Sequence, residues 1–187
     1  MADLEEIPPD VVERARRVCL LVMDVDGVLT DGGMYYGEHG DELKKFNTRD
    51  GQGIALLHAA GLQTAILTRE QTAIVLRRGE KLKIGEVRVG VRDKLAALRE
   101  MLAARGLDFR QVAYIGDDLN DYEVLCHVGL AVVVQDATRK PRSVAHYVTR
   151  ARGGEGAVRE LCELILDCQE KAPFATADQA VHRDEGR

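Results

Sequence analysis

Two short stretches of this chain crowd carboxylates together. Asp24-Val25-Asp26-Gly27 follows directly on the apolar run Val18–Met23, and Gly116-Asp117-Asp118-Leu119-Asn120-Asp121 follows the strand-like segment Gln111–Ile115. A single aspartate beside a glycine at a strand end usually serves a turn or caps a helix. Two on one strand end and three on another are more than turns require. Five carboxylates held close repel one another and retain protons unless a cation joins them. Oxygen donors with few thiols or imidazoles among them suit a hard ion, and Mg²⁺ is the expected one. Thr68 and Lys94 stand at the ends of neighbouring segments and add one hydroxyl and one amine.

The elements that must position these groups can be read from the apolar pattern. Val18–Met23 has the continuous hydrophobic character of a strand buried on both faces. Leu62–Leu67, the residues around Glu86-Val87-Arg88, Gln111–Ile115, Leu130–Val134 and His146–Val148 read as further strands. Helical segments lie between and after them at Gly53–Ala60, Gln71–Leu82, Asp93–Arg105, Leu119–His127 and Glu155–Cys168, with Gly106 placed to end the third. This alternation predicts an α/β fold, a doubly wound, Rossmann-like parallel sheet in three α/β/α layers. Ligands of such sheets bind beyond the carboxyl ends of the strands, which brings Asp24, Asp26, Thr68, Lys94, Asp117, Asp118 and Asp121 to one edge. Residues 28–50 break the alternation. Gly32, Gly33, Gly37 and Gly40 punctuate two short segments over 33–36 and 42–46, predicting a protruding β-hairpin with its turn near Glu38-His39-Gly40.

The flanks read as a helical extension over 1–17, opened by Pro8-Pro9-Asp10, and a tail over 171–187 without apolar period, expected to be disordered. One domain over 18–170 is expected between them. Of 187 residues 45% are hydrophobic and 30% charged, which excludes fibrous and wholly disordered classes. Lys and Arg number 26 against 31 Asp and Glu, so the five clustered aspartates account for the whole net charge of −5. A mildly acidic chain with no Trp and three Phe lacks the basic surface and the stacking platform of a nucleic-acid binder. No apolar run approaches the roughly 18–20 residues of a membrane span, so no membrane partner is expected. The acidic start Met1-Ala2-Asp3-Leu4-Glu5-Glu6 is unlike a signal peptide. Cys19, Cys126, Cys162 and Cys168 have neither CxxC nor metal spacing and read as free thiols, consistent with a cytoplasmic protein.

Taken in order, DxDGVxTDG (Asp24 to Gly32), Thr68, Lys94 and GDDxxD (Gly116 to Asp121) resemble the four motifs of the haloacid dehalogenase superfamily of phosphohydrolases, over about Leu20 to Leu166. The resemblance implies a mechanism. Asp24 would attack phosphorus and become an aspartyl-phosphate, while Asp26 would protonate the leaving oxygen and later activate water. Mg²⁺ would be held by Asp24, the backbone carbonyl of Asp26 and Asp117, with Asp118 and Asp121 ordering its waters or the flap. Thr68 would donate to a phosphate oxygen, and Lys94 would neutralise charge on nucleophile and phosphoryl group. A response-regulator receiver domain also gathers acids, a threonine and a lysine. Its acidic pair is adjacent, however, and its lysine follows the phospho-accepting aspartate.

Many members of the superfamily carry a cap domain after the first motif or between the second and third. Residues 27–67 and 69–93 are too few for one here, so a neighbouring chain is expected to close the site. The capless branch that this chain resembles hydrolyses phosphorylated 2-keto-3-deoxy sugar acids and assembles as a homotetramer through the hairpin. In that branch the segment matching Gly153-Gly154-Glu155-Gly156-Ala157-Val158-Arg159-Glu160 also reaches toward the substrate, which implicates Gly153 and Gly154. Two substrates compete, 3-deoxy-octulosonate 8-phosphate (KDO 8-phosphate) and nonulosonate 9-phosphates such as KDN 9-phosphate. Glu70, Arg78, Lys81 and the run Lys45-Phe46-Asn47-Thr48 resemble the nine-carbon enzymes, which tilts the reading toward them and implicates Thr48. Arg69 departs from the glycine usual after the motif-two threonine. It adds a phosphate contact or crowds the site, and it keeps open a non-catalytic subunit or a phosphatase for another sugar phosphate.

Overall fold

The computed structural model describes residues 7–171. Six parallel strands form one sheet: β1 (Leu20–Met23), β4 (Gln63–Leu67), β5 (Glu86–Arg88), β6 (Val112–Gly116), β7 (Leu130–Val133) and β8 (Tyr147–Val148). Their spatial order is β5-β4-β1-β6-β7-β8. The chain therefore builds outward from β1 in one direction, returns, and builds outward in the other. The crevice of such a sheet opens where the order reverses, beyond the end of β1. Every residue of β1, β6 and β7 is buried. Since successive strand side chains point to opposite faces, both faces of the sheet are covered.

Register brings the chemistry to one level. Met23 pairs with Ile66 on one side and with Ile115 on the other. Asp24 thus leaves β1 beside the last residues of β4 and β6, and Thr68 and Asp117 follow immediately.

The helices are α1 (Pro9–Arg16), α2 (Thr48–Ala59), α3 (Ala73–Lys81), α4 (Lys94–Arg105), α5 (Tyr122–Leu125), α6 (Arg139–Arg142) and α7 (Ala157–Cys168). Local chemistry sets their ends as expected for α4, where Asp93 caps the first turn and Gly106 takes the left-handed conformation at φ 63°. Several expectations shift, and α3 and α7 each begin two residues later than expected. Helix α2 starts at Thr48, five residues before the predicted start, because Asn47 accepts a hydrogen bond from Arg49 N and caps it. Its first turns hold Gly51 and Gly53, which weaken the helical signal yet permit close packing: a Cβ at Gly53 would lie 3.0 Å from Arg159 Cα on α7. The segment predicted as one helix over 119–127 is a 3₁₀ turn, Leu119–Asp121, followed by the single turn of α5. The short α6 was not expected from the pattern.

Helix α7 has no side-chain cap of its own at Gly156. Asp50 of α2 supplies one from outside, accepting from Arg159 N at 2.8 Å. Strands β2 (Tyr35–Gly37) and β3 (Gly40–Leu43) form the antiparallel hairpin, with β2 starting two residues later and β3 two residues earlier than predicted. A bridge between Thr30 and Phe46 ties its base to the loop after β1. Helix α1 packs on α7 and buries Val11 and Ala15 in the common core. No helix of the described residues is long and apolar enough to cross a membrane. The tail expected beyond residue 171 lies outside the described residues.

Candidate active site

Asp24 sits at the bottom of the crevice, 3% exposed. Its N–H donates to Ile115 O at 3.1 Å, and its Oδ1 accepts from Val25 N at 2.7 Å. The loop that follows is held from both sides. Thr30 N donates to Val25 O at 3.0 Å, and Gly154 N donates to Val28 O at 2.8 Å. Gly27 has φ +79°, and a Cβ there would collide with the carboxylate of Asp117. Only glycine lets the two motifs approach this closely.

Lys94, at the start of α4, lies buried between two carboxylates, with Nζ 2.7 Å from Asp24 Oδ2 and 2.7 Å from Asp121 Oδ1. Asp121 is completely buried and fully used. Its Oδ1 also accepts from Tyr114 OH at 2.6 Å, and its Oδ2 accepts from the N–H groups of Asp117 at 2.9 Å and Asp118 at 3.3 Å. The Asp118 carboxylate caps the 3₁₀ turn, accepting from Leu119 N at 2.8 Å, and meets Thr138 Oγ1 at 3.0 Å. These two acids therefore hold the loop that carries Asp117.

Carboxylate oxygens of Asp24, Asp117 and Asp121 lie within 4.8 Å of one another. With Asp121 already saturated, Asp24 and Asp117 are the two of the three left to hold an ion. Burial, then the charge of Asp121, push Asp24 up to about 7 despite the opposing pull of Lys94. Burial, then Asp24 and Asp121, push Asp117 up to about 8. Two carboxylates this reluctant to ionise, in an all-oxygen setting, fit a hard divalent cation that takes the place of their protons.

A pH dependence follows. Both groups bind protons more tightly folded than unfolded, so the protein loses stability as pH rises from about 4 through 7–8. A dication offsets that loss, and its stabilising effect grows over the same window. At ten times the dissociation constant, Mg²⁺ should raise Tm by about 3–6 °C at pH 8. At pH 5 the rise should shrink to under about 1 °C, and Asp117→Asn should show none at either pH. A Mg²⁺ effect independent of pH, read by differential scanning fluorimetry, would contradict this assignment.

A cavity of about 250 Å³ opens above Asp24. Asp26, Thr68, Arg69, Glu70, Asp117 and Asp118 line it with Asp24, so half of the expected site residues converge. Lys94 and Asp121 lie beneath it, buried. Gly153 and Gly154 are buried behind the 27–31 loop, where a Cβ at Gly153 would collide with Gly27 O. Thr48 and Lys81 are exposed on helices outside this cavity. Arg78 also lies outside it, with Nη2 donating to Asn47 O at 3.1 Å and its guanidinium 5.2 Å from the Phe46 ring centre.

Three residues of the site went unmarked by sequence reasoning. Asn120 lines the cavity and was visible as the unassigned polar residue inside GDDxxD. Tyr114 reads as a core strand residue, and nothing in the pattern signals its hydrogen bond. Lys44, from the end of the hairpin, places Nζ 2.6 Å from Asp26 Oδ1.

Comparison with known proteins gives the same picture. A sequence profile for haloacid dehalogenase-like hydrolases matches residues 79–161. The chain is 47% identical over 170 residues to the 3-deoxy-D-manno-octulosonate 8-phosphate phosphatase of Yersinia pestis, covering 91% of each. The crystal structure of a phosphatase of that name from Yersinia pestis superposes with a TM-score of 0.86 over 89% of this chain and 90% of that one, at 47% identity. The Moraxella catarrhalis enzyme, crystallised with magnesium ion, phosphate ion and KDO, superposes with a TM-score of 0.84 at 39% identity, over 86% of this chain and 92% of its own.

Proposed function

The chain belongs to the haloacid dehalogenase-like hydrolases, and on that premise we propose that it removes the phosphate of a 3-deoxy-octulosonate 8-phosphate through an aspartyl-phosphate on Asp24. The observation that carries the reading is the convergence of Asp24, Asp26, Thr68 and Asp117 on one cavity, with Lys94 bonded to Asp24 beneath it. Asp24 attacks phosphorus as the bond to the sugar oxygen breaks, and the proton of Asp26 passes to that oxygen. Asp26 then takes a proton from water, whose oxygen attacks phosphorus and frees Asp24. Thr68, 1% exposed, stands where its hydroxyl can donate to the phosphoryl group. Lys94 keeps Asp24 oriented and offsets the charge that accumulates around it. Asp24, Asp117 and the Asp26 carbonyl would hold Mg²⁺, which when bound supplies positive charge to the phosphoryl oxygens.

A nine-carbon substrate is the second reading, because Glu70, which matches the Thr-Gly-Glu pattern of the nonulosonate enzymes, lines the cavity. Arg78 weighs against it, since its guanidinium is already engaged by Asn47 and Phe46. We further propose a homotetramer joined through the hairpin. Met34, Tyr35, Tyr36 and Leu43 are four of the six exposed large hydrophobics among the described residues, and a second copy would cover them. The decisive experiment compares kcat/KM for KDO 8-phosphate, KDN 9-phosphate and N-acetylneuraminate 9-phosphate. A preference of about 100-fold or more for the first is expected. Equal, low values on all three would overturn the substrate assignment.

A further inference from the structure

Arg69 is the one cation among the described residues that lines the cavity. Its side chain is exposed and enters no hydrogen bond or ion pair among the described residues. The cations around it are committed to the protein's own groups: Lys94 to Asp24 and Asp121, Lys44 to Asp26, Lys45 to Asp31 and Arg78 to the Asn47 carbonyl. The loop that carries Arg69 is pinned through its backbone. Thr68 N donates to Arg88 O at 3.0 Å, Val91 N to Thr68 O at 2.9 Å and Gly90 N to Glu70 O at 3.2 Å. Arg69 is not among the residues with positive φ, so the position does not require glycine. The arginine does not fill the site either, since a cavity of about 250 Å³ remains with it in place.

Depth sorts the two anionic ends of a sugar-acid phosphate. Asp24 and Thr68 are buried at the floor, and the Thr68 hydroxyl accepts from Glu70 N at 3.3 Å, which leaves its proton for a phosphoryl oxygen. Arg69 and Glu70 are exposed at the mouth. With phosphorus on Asp24, the carboxylate at the other end of the carbon chain lies toward that mouth. We propose that Arg69 is a specificity-determining residue whose guanidinium takes the substrate carboxylate. This deepens the phosphatase reading and rests on it. The phosphoryl end already has Lys94 and Thr68 to answer its charge. A carboxylate entering the mouth meets the acids Glu70 and Asp118 and no cation but Arg69. A guanidinium presents parallel N–H donors in the fork that a carboxylate accepts, and those of Arg69 are uncommitted.

The test compares wild type, Arg69→Ala and Arg69→Lys on KDO 8-phosphate and on p-nitrophenyl phosphate, which has no carboxylate. It also measures inhibition of aryl phosphate turnover by free KDO, which has the carboxylate alone, and by inorganic phosphate. Arg69→Ala is expected to raise KM for KDO 8-phosphate about 30-fold, the loss of a charged hydrogen-bonded pair. Its kcat should stay within about 3-fold of wild type, because the contact is made alike in ground and transition states. Inhibition by KDO should weaken about 30-fold, while inhibition by phosphate and turnover of the aryl phosphate should change less than about 2-fold. Arg69→Lys, which keeps the charge without the fork, should fall between the two. Equal losses on both substrates, with weaker inhibition by phosphate, would place Arg69 on the phosphoryl group and overturn the assignment. An unchanged KM for KDO 8-phosphate would overturn it too. A wild type that turns over only the aryl phosphate would refute the sugar-acid reading, and the assignment with it.

Discussion

Asp24→Asn is expected to reduce phosphate release to about one part in 10⁴ of wild type or less, with no loss of folded protein. The two halves of that expectation have one source. A carboxamide has the shape of the carboxylate but cannot attack phosphorus, so the covalent route closes. The same change removes a charge that the fold tolerates poorly. Burial and the neighbouring Asp121 hold Asp24 up to about 7, meaning that its ionised form is disfavoured there. Asparagine can still accept from Val25 N, and Lys94 keeps Asp121 as its partner at 2.7 Å. Without Mg²⁺ at pH 8, where wild type carries the repelling charges, the variant should melt at the same temperature or a few degrees higher. Phosphate release and thermal melting on one preparation decide the matter. Activity above about 1% of wild type would remove Asp24 as nucleophile. A Tm lowered by more than about 5 °C would mean that Lys94 depends on that charge for its burial.

The parts of this site that are legible in the sequence are those set by strand ends. Asp24 and Asp117 follow runs of buried residues, and a parallel register carries consecutive strand ends to one edge with no further information. Thr68 and Lys94 follow by the same logic. Groups that arrive from outside the sheet leave no such trace. Lys44 comes off a hairpin, beside a second lysine with a different partner, and nothing in the spacing tells the buried one from the exposed one. Asp50 reads as a polar residue in a glycine-interrupted segment, because its role is to cap a helix more than a hundred residues away. The glycines that blur the start of α2 serve the close approach of α7, so a tertiary contact overrides local propensity there. Gly153 and Gly154 show a third kind of gap. The double glycine is visible, but its effect, to let one loop lie against the backbone of another, is a matter of packing.

Asp121→Ala is expected to cost about 3 kcal/mol and to lower Tm by about 6–12 °C even in EDTA, because the carboxylate anchors the site from below. Four groups lose an acceptor at once: Lys94 Nζ, Tyr114 OH, and the N–H groups of Asp117 and Asp118. Tyr114 suffers most. It is wholly buried, and burial together with the surrounding carboxylates pushes its hydroxyl well above the ordinary range, so it remains a donor with nothing to donate to. Lys94 retains Asp24, which keeps the damage below that of stripping a buried cation of its last partner. Activity should fall with stability, since the N–H groups that position Asp117 are released. The apo measurement separates two roles for the same residue. Were Asp121 chiefly a metal ligand, its loss would weaken Mg²⁺ binding and leave the metal-free Tm unchanged or higher, as removal of one charge from an acidic cluster should. An anchor must instead lower the metal-free Tm. Asp121→Asn, which keeps one acceptor for Tyr114 but loses the charge facing Lys94, should fall between wild type and Asp121→Ala, and an asparagine variant as unstable as alanine would show that charge, not hydrogen bonding, holds the site together.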